Sequence, residues 1–153
     1  MKIKYLLCVL VMLCVTQASF AQIKSQQECF YDGQFSSSNI DMPSEMYPDQ
    51  KGEVRVTLRN VGTCTWNPRD IELRVTIKKG PSGSPIQRDE LLPSSSETLY
   101  PPTTLAGESN TVRYGIEAPY YLGSYELEFV LMFKGQKFGE FGVTKTVKIV
   151  PKK

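Results

Sequence analysis

Apolar residues alternate with polar ones along most of this 153-residue chain, and this period of two constrains the fold more than any other feature. Successive side chains of a β-strand point to opposite faces, so the alternation is typical of strands with one buried face. Five segments carry it clearly, and weaker ones at 38–42 and 97–100 bring the count to about seven strands. The apolar positions are Val54, Val56 and Leu58; Ile71, Leu73, Val75 and Ile77; Val112, Tyr114 and Ile116; Tyr125, Leu127, Phe129, Leu131 and Phe133; and Phe141, Val143, Val147 and Ile149.

Turn residues separate these segments, and no convincing helical pattern remains. We therefore predict an all-β fold, an antiparallel β-sandwich of about seven strands. Lys145 interrupts the apolar positions of the last segment, which predicts a bulge or a sheet edge there. The stretch 80–96 is rich in Pro, Gly and Ser, so we interpret it as a long surface connection between the sheets, with a functional loop as the alternative.

The first 21 residues have the order of features of a secretory signal peptide. Lys2 and Lys4 precede an apolar run over 5–15, and small residues follow it and end at Ala21. We predict that 1–21 is removed and that the protein is secreted or lies in the periplasm or at the cell surface. The apolar run is too short to span a bilayer, so stable membrane insertion after cleavage is not expected.

The rest of the chain divides into three predicted parts: an N-terminal segment over 22–40, the sandwich domain over 41–150 and a short tail over 151–153. Without Lys2 and Lys4 the 18 basic residues become 16, which equals the 16 acidic ones. A nucleic-acid partner therefore loses its electrostatic support.

Histidine is absent from the chain, which excludes Ser-His-Asp and Cys-His catalysis and His-ligated zinc. Acidic residues such as Asp89 and Glu90 are adjacent in a loop, and nothing in the sequence brings two carboxylates to the separation that glycoside hydrolysis needs. We assign no catalytic, metal-binding or cofactor-binding residue, expect no cofactor, and expect a protein that is not an enzyme. An enzyme that works with carboxylates, Lys, Tyr or Ser stays as a third hypothesis.

Four cysteines are present, and Cys8 and Cys14 fall within the predicted signal peptide. The other two, Cys29 and Cys64, enter an oxidising compartment, so we predict one disulfide that tethers the segment 22–40 to the sandwich. A loop of this length stabilises a fold by about 4 kcal/mol on the chain-entropy model. Two unpaired thiols are the alternative.

The stretch from Asn60 to Trp66, Asn-Val-Gly-Thr-Cys-Thr-Trp, resembles the Asn-x-Gly-x-x-x-Trp turn of a known family. This is the four-tryptophan immunoglobulin-like domain of the next-to-breast-cancer-one autophagy receptors. Further matches follow in order at 105–108, 118–119, 122–125 and 137–139, so the resemblance covers about 41–150. The matched positions are Asn60, Gly62, Trp66, Gly107, Pro119, Gly123, Tyr125, Phe138 and Gly139.

The resemblance implies an immunoglobulin-like sandwich and, as a class only, a protein-interaction module. Only Trp66 remains of the four tryptophans, so a surface of exposed tryptophans is not expected here. We expect structural roles for the motif: Asn60 caps its own turn, Trp66 inserts between the sheets with its indole N–H on a carbonyl, and Tyr125 forms a tyrosine corner that holds the preceding loop. Gly62 and Gly107 permit turns that a Cβ would obstruct.

The leading functional hypothesis is a non-catalytic extracytoplasmic interaction module that binds a protein partner through sandwich loops or an exposed sheet edge. The alternative is a carbohydrate-binding module whose loop aromatics stack on sugar rings. The candidate binding residues in these loops are Tyr100, Tyr120 and Tyr121, with Phe30 and Tyr31 as further aromatics.

Overall fold

The computed structural model describes residues 28–81 and 99–153, which form two packed β-sheets. The predicted all-β sandwich is confirmed, and the number of strands exceeds seven because four are two-residue strands too short to show a period. The strands are β1 (Gly33–Gln34), β2 (Ile40–Asp41), β3 (Glu45–Met46), β4 (Lys51–Asn60), β5 (Ile71–Lys79), β6 (Ser109–Glu117), β7 (Gly123–Phe133), β8 (Gln136–Lys137) and β9 (Val143–Ile149), and a 3₁₀ helix, Ser37–Asn39, joins β1 to β2.

In the first sheet β4 pairs with β6 on one side and with β1 and β2 on the other. In the second sheet the order is β3-β9-β7-β5, and β8 pairs with the end of β7. β3 lies parallel to β9, whereas the other paired strands are antiparallel. Long antiparallel ladders, such as Lys51↔Glu117 to Arg59↔Ser109, set the register of each sheet.

The predicted alternation decides which side chains enter the core. Along β4 the residues Val54, Val56 and Leu58 are fully buried, while the residues between them face outward. The inner faces of β5, β6, β7 and β9 contribute their alternate residues to one continuous apolar cluster. Burial of this surface drives the two sheets together.

The sandwich has two ends that matter for function. β4 and β7 finish at the Trp66 end, which also contains the turn 60–66. β7 begins at the Tyr120 end, which contains the loop from Ala118 to Leu122 between β6 and β7. The eight steps from Gly123 to Leu131 along β7 separate these ends by about 27 Å at a rise of about 3.4 Å per residue.

The last strand differs from the prediction at its start. β9 begins at Val143, and Phe141 is exposed in the preceding loop, because Gly142 has a φ of +72° and the Glu140 N–H donates to the Gly33 carbonyl. The β7–β9 register is regular, so there is no bulge at Lys145. β3 pairs only with Lys148 and Ile149, so β9 forms a sheet edge at Lys145, whose Nζ donates to the Ser37 carbonyl at 3.0 Å. A register shift lies instead in β5, between Ile77 and Lys79.

The weaker strand predictions were only partly right. The segment 38–42 contains the two-residue β2, because the chain before it turns as the 3₁₀ helix. In 97–100, Leu99 forms a single bridge to Leu73, and 97–98 lie outside the described residues. The predicted signal peptide over 1–21 and most of the connection over 80–96 also lie outside them. In the part that is described, no helix has the length and apolar character to cross a membrane.

Candidate functional site

Asn60 organises the turn at the Trp66 end. Its side chain is fully buried, and its Oδ1 accepts a hydrogen bond from the Gly62 N–H at 3.1 Å, which confirms the predicted cap. Its Nδ2 also donates to two carbonyl oxygens, at 2.8 Å to Cys64 and at 3.0 Å to Thr104. The second contact joins residues that are 44 apart in sequence, so Asn60 locks the turn to the segment before β6.

The disulfide prediction is confirmed: Cys29 and Cys64 are bonded, with their Cα atoms 4.9 Å apart. The backbone continues the attachment, because the N–H groups of Thr63 and Cys64 both donate to the Phe30 carbonyl. At Gly62 a Cβ would lie 2.5 Å from that same oxygen, so glycine allows the N-terminal segment to approach this closely. A persistent disulfide fits an oxidising compartment outside the cytoplasm.

Trp66 is fully buried between the sheets, as predicted, and its ring packs edge-on against Phe138 with centroids 5.9 Å apart. The prediction for its indole N–H was wrong: within the described residues Nε1 has no hydrogen-bond partner. The main chain of Trp66 already pairs with Thr104 in both directions, which directs the ring into the apolar core, away from backbone carbonyls. Trp66 is therefore a core residue here.

The glycines of the other motif positions hold tight turns. Gly107, Gly123 and Gly139 have φ values of +83°, +137° and +70°. A Cβ on Gly139 would collide with the Gly33 carbonyl, so the loop after β8 lies directly on β1. This contact places Phe138 against Trp66 and leads the chain outward to Glu140 and Phe141.

The loop at the Tyr120 end is held on both sides. The Tyr125 hydroxyl donates to the Tyr121 carbonyl at 3.0 Å, which confirms the predicted tyrosine corner. On the other side the Ala118 N–H donates to the Gln50 carbonyl, and the Ala118 carbonyl accepts from the Asp49 N–H. Pro119, next to Ala118, is buried.

This fixed loop exposes apolar side chains. Tyr120 is 68% exposed, the largest value among the exposed large hydrophobic residues of the described chain, and Tyr121 is 43% exposed. Leu122 and, on the adjoining turn before β4, Tyr47 are exposed as well. We call these four residues, Tyr47, Tyr120, Tyr121 and Leu122, the Tyr120 patch.

The three candidate tyrosines do not form one surface. Tyr100 is 45% exposed, but it follows Leu99, which pairs with Leu73 near the Trp66 end. Leu73 in turn lies opposite Leu131 on β7, so Tyr100 lies far from the Tyr120 patch. Of the other loop aromatics, Phe30 is exposed at the Trp66 end, whereas Tyr31 stacks on Phe133 with ring centroids 3.8 Å apart.

A polar cavity of about 550 Å³ lies at the edge of the sandwich, where the 3₁₀ helix leaves the first sheet between β1 and β2. We call it the Arg59 cavity. Sequence reasoning missed it because its walls come from four separate parts of the chain, and no motif marks them. The lining residues are Gln34, Phe35, Ser36, Ser37, Asn39, Thr57, Arg59, Ser109, Glu140, Gly142, Val143 and Thr144.

A second hollow of about 420 Å³ shares Gln34 and Glu140 with the Arg59 cavity and extends it toward Asp32 and Val61. Together the two form a surface groove along β1. The loop that follows β8 makes one wall of this groove.

Electrostatic features of the described chain are modest. A hydrogen bond from the Arg55 side chain holds the pKa of Glu53 below its ordinary value, and Lys78 lies within 4 Å of both Glu126 and Glu128. Burial raises the pKa of the Tyr114 hydroxyl, which has no hydrogen-bond partner among the described residues. Residues 28–81 and 99–153 contain no group of three His, Cys, Asp or Glu side chains that would hold a metal ion.

The sequence matches no family model and no curated protein. Solved structures do share the fold. The CARDB domain of a Pyrococcus furiosus protein, in complex with di-metal ions, superposes with a TM-score of 0.53 at 13% identity over 81% of this chain and 96% of that domain. At this identity the likeness shows the β-sandwich fold alone.

A β-glucosidase from Listeria innocua gives a TM-score of 0.45 at 12% identity. The match covers 80% of this chain and only 16% of the β-glucosidase. This lower similarity carries no argument about the present protein.

Proposed function

We propose that this protein is a non-catalytic immunoglobulin-like module that acts outside the cytoplasm and binds a partner protein through the Tyr120 patch. The observation that carries the proposal is the exposure of Tyr120, at 68%, on a loop held by hydrogen bonds on both sides. Large apolar side chains that cluster on a surface are typical of interaction sites.

The chemistry of the patch suits a protein partner. Tyrosine is enriched at protein interfaces because its ring buries apolar area while its hydroxyl remains able to hydrogen-bond. Tyr125 and Ala118 hold the loop in place before binding, so little conformational entropy remains to be lost when a partner docks.

The resemblance to the four-tryptophan domain supports a protein-interaction class, and we propose a distant relation to that family. The support depends on the turn from Asn60 to Trp66. This support would be lost if an alignment of close relatives of this chain did not match Asn60, Gly62 and Trp66 to the Asn, Gly and Trp of that family's turn. Export depends on the predicted signal peptide, and N-terminal sequencing of the secreted protein is expected to find Gln22 first.

Carbohydrate binding by the same patch is the second candidate. Tyr120 and Tyr121 are adjacent and exposed, and such rings can stack on sugar faces. Tyr100 no longer belongs to this hypothesis, because it lies near the other end of the sandwich.

The test compares two variants of the purified protein as bait for its own extracellular and envelope fraction. The double variant Tyr120→Ser, Tyr121→Ser is expected to reduce capture of a specific partner at least tenfold. The control Tyr100→Ser changes a tyrosine that is as exposed as Tyr121 but lies elsewhere on the surface, and it is expected to change the capture less than twofold. Equal loss in both variants would refute the assignment of the patch.

A glycan array separates the two candidates. If the unmodified protein binds an immobilised glycan and the double variant does not, the carbohydrate-binding hypothesis replaces the protein-binding hypothesis. If the array gives no binding while capture of a protein depends on the patch, the leading proposal is supported.

A further inference from the structure

The Arg59 cavity has the volume of a small-molecule site. Its volume of about 550 Å³ falls within the range of about 300–1,000 Å³ that is typical of ligand pockets. It lies between the 3₁₀ helix, the outer side of β4 and the start of β9, so regular elements form most of its walls. It is also separate from the Tyr120 patch, which lies at the other end of the sandwich.

Neutral hydrogen-bonding groups dominate the lining. Ser36, Asn39, Thr57, Ser109 and Thr144 contribute hydroxyl or amide groups. The Asn39 side chain is held in place, because its Oδ1 accepts from both the N–H and the hydroxyl of Ser36 at 3.0 and 2.9 Å. Its Nδ2 donates to none of the described residues, so both amide hydrogens remain available to a ligand.

Two opposite charges line the same cavity. Arg59 contributes a guanidinium and Glu140 a carboxylate, and neither forms an ion pair within the described residues. Their formal charges cancel, so the lining has no net attraction for an anion or a cation. Each can form directional hydrogen bonds with a neutral ligand, as donor and acceptor respectively.

An exposed aromatic residue lies next to the cavity lining in the sequence. Phe141 lies between the lining residues Glu140 and Gly142 and is 62% exposed. The hydrogen bond from the Glu140 N–H to the Gly33 carbonyl and the positive φ of Gly142 hold the loop in this conformation. An exposed aromatic residue flanked by two lining residues, together with the hydroxyl, amide, guanidinium and carboxylate groups of the lining, fits a ligand that has one apolar face and a rim of hydroxyls.

We propose that the Arg59 cavity binds a neutral saccharide unit whose hydroxyls meet Arg59, Asn39 and Glu140 and whose C–H face packs on Phe141. This site is additional to the Tyr120 patch, and its existence does not depend on the partner proposed there. The open cavity predicts weak binding of a single sugar, with a dissociation constant of about 1 mM.

The experiment is a titration of the ¹⁵N-labelled protein, followed by its amide NMR spectrum. The probes are glucose, galactose, mannose and N-acetylglucosamine, each as the free sugar and as the methyl glycoside. At least one of these sugars is expected to give saturable chemical-shift changes at the amides of Asn39, Gly142 and Thr144. If the methyl glycoside binds as tightly as the free sugar, the site is assigned to the end of a glycan. If the methyl glycoside does not bind, the site is assigned to a free sugar.

Three variants test the residues. Phe141→Ala and Arg59→Gln are each expected to weaken the binding at least tenfold, and both positions are exposed, so the fold and its spectrum should persist. Tyr120→Ala, which removes an equally exposed aromatic at the other end, is expected to change the affinity less than twofold. Tyr120→Ala also distinguishes the cavity from the Tyr120 patch, because the sugar-induced shifts would remain even if the patch bound no partner.

The proposal is overturned if none of these sugars shifts the cavity amides, or if the shifts map to residues 118–122. It is also overturned if Phe141→Ala and Arg59→Gln bind as well as the original protein. Acetate and glycine serve as charged probes, and saturation of the cavity by either of them alone would reject a neutral sugar as the ligand class.

Discussion

Replacing Asn60 by alanine is the sharpest test of how the Trp66 end is held together. The substitution removes three hydrogen bonds from a side chain that has no exposed surface. The Thr104 carbonyl keeps its bond from the Trp66 N–H, and the Gly62 N–H keeps its bond to the Asp32 carbonyl. Only the Cys64 carbonyl loses its sole donor among the described residues.

The magnitude follows from these three losses. A buried carbonyl left without a donor costs about 1–3 kcal/mol, and each of the other two bonds contributes about 0.5–1.5 kcal/mol net. We therefore expect Asn60→Ala to lower the free energy of unfolding by about 4 kcal/mol, within a range of about 2–6. Because a domain of this size has a total stability of about 5–15 kcal/mol, the loss is large.

Urea unfolding with the disulfide intact measures this change, and Asn110→Ala is the matched control. The Asn110 amide also donates twice, to the Thr103 carbonyl and the Thr104 hydroxyl, but it is only half-buried and water replaces its bonds. We expect less than about 1 kcal/mol for the control. Equal losses for the two asparagines would refute the argument from burial.

Asn60→Asp adds a pH signature to the same site. The new carboxyl would be buried beside two carbonyl oxygens, so its pKa in the folded protein rises above the ordinary value of about 3.9. The folded variant then binds more protons than the unfolded chain. Its stability relative to the original protein is highest below about pH 3.9 and falls as the pH rises toward the folded pKa. A pH-independent difference would contradict this environment.

Three further changes test the core, the tether and the loop. Trp66→Ala is expected to destabilise by about 3–5 kcal/mol, whereas an effect within about 0.5 kcal/mol would mean a surface residue. The double variant Cys29→Ala, Cys64→Ala is expected to lose about 4 kcal/mol in urea unfolding, and an unchanged midpoint would reject the tether as a stabilising element. Tyr125→Phe removes the hydrogen bond to the Tyr121 carbonyl and is expected to lower the free energy of unfolding by about 1 kcal/mol, with faster amide exchange in the loop 118–122. Amide exchange as slow as in the original protein would argue against the tyrosine corner.

The two surfaces described above differ in what the sequence reveals of them. Tyr120 and Tyr121 stand out as loop aromatics, and their exposure is confirmed by the structure. Tyr100 has the same chemistry and a similar exposure, yet the chain carries it toward the opposite end. Residue type therefore predicted an aromatic surface, but strand register decided which aromatics share it.

Asn60 shows the same division within a single side chain. Its cap on Gly62 is a local contact two residues away, and the Asn-x-Gly pattern predicted it. Its bond to the Thr104 carbonyl spans 44 residues, and no local pattern indicates it. Trp66 was correctly predicted to be buried, whereas the partner expected for its indole N–H depended on neighbours that only packing determines.

The sequence by itself determined the five long strands, the inward face of each and the pairing of Cys29 with Cys64, because alternation is a local property and the predicted signal peptide leaves only two cysteines. The tertiary structure alone decided the two-residue strands, the exposure of Phe141 and the Arg59 cavity. The physical reason is range: side-chain direction along a strand repeats every two residues, whereas a cavity wall requires distant segments to meet, and the packing of the two sheets sets where they do.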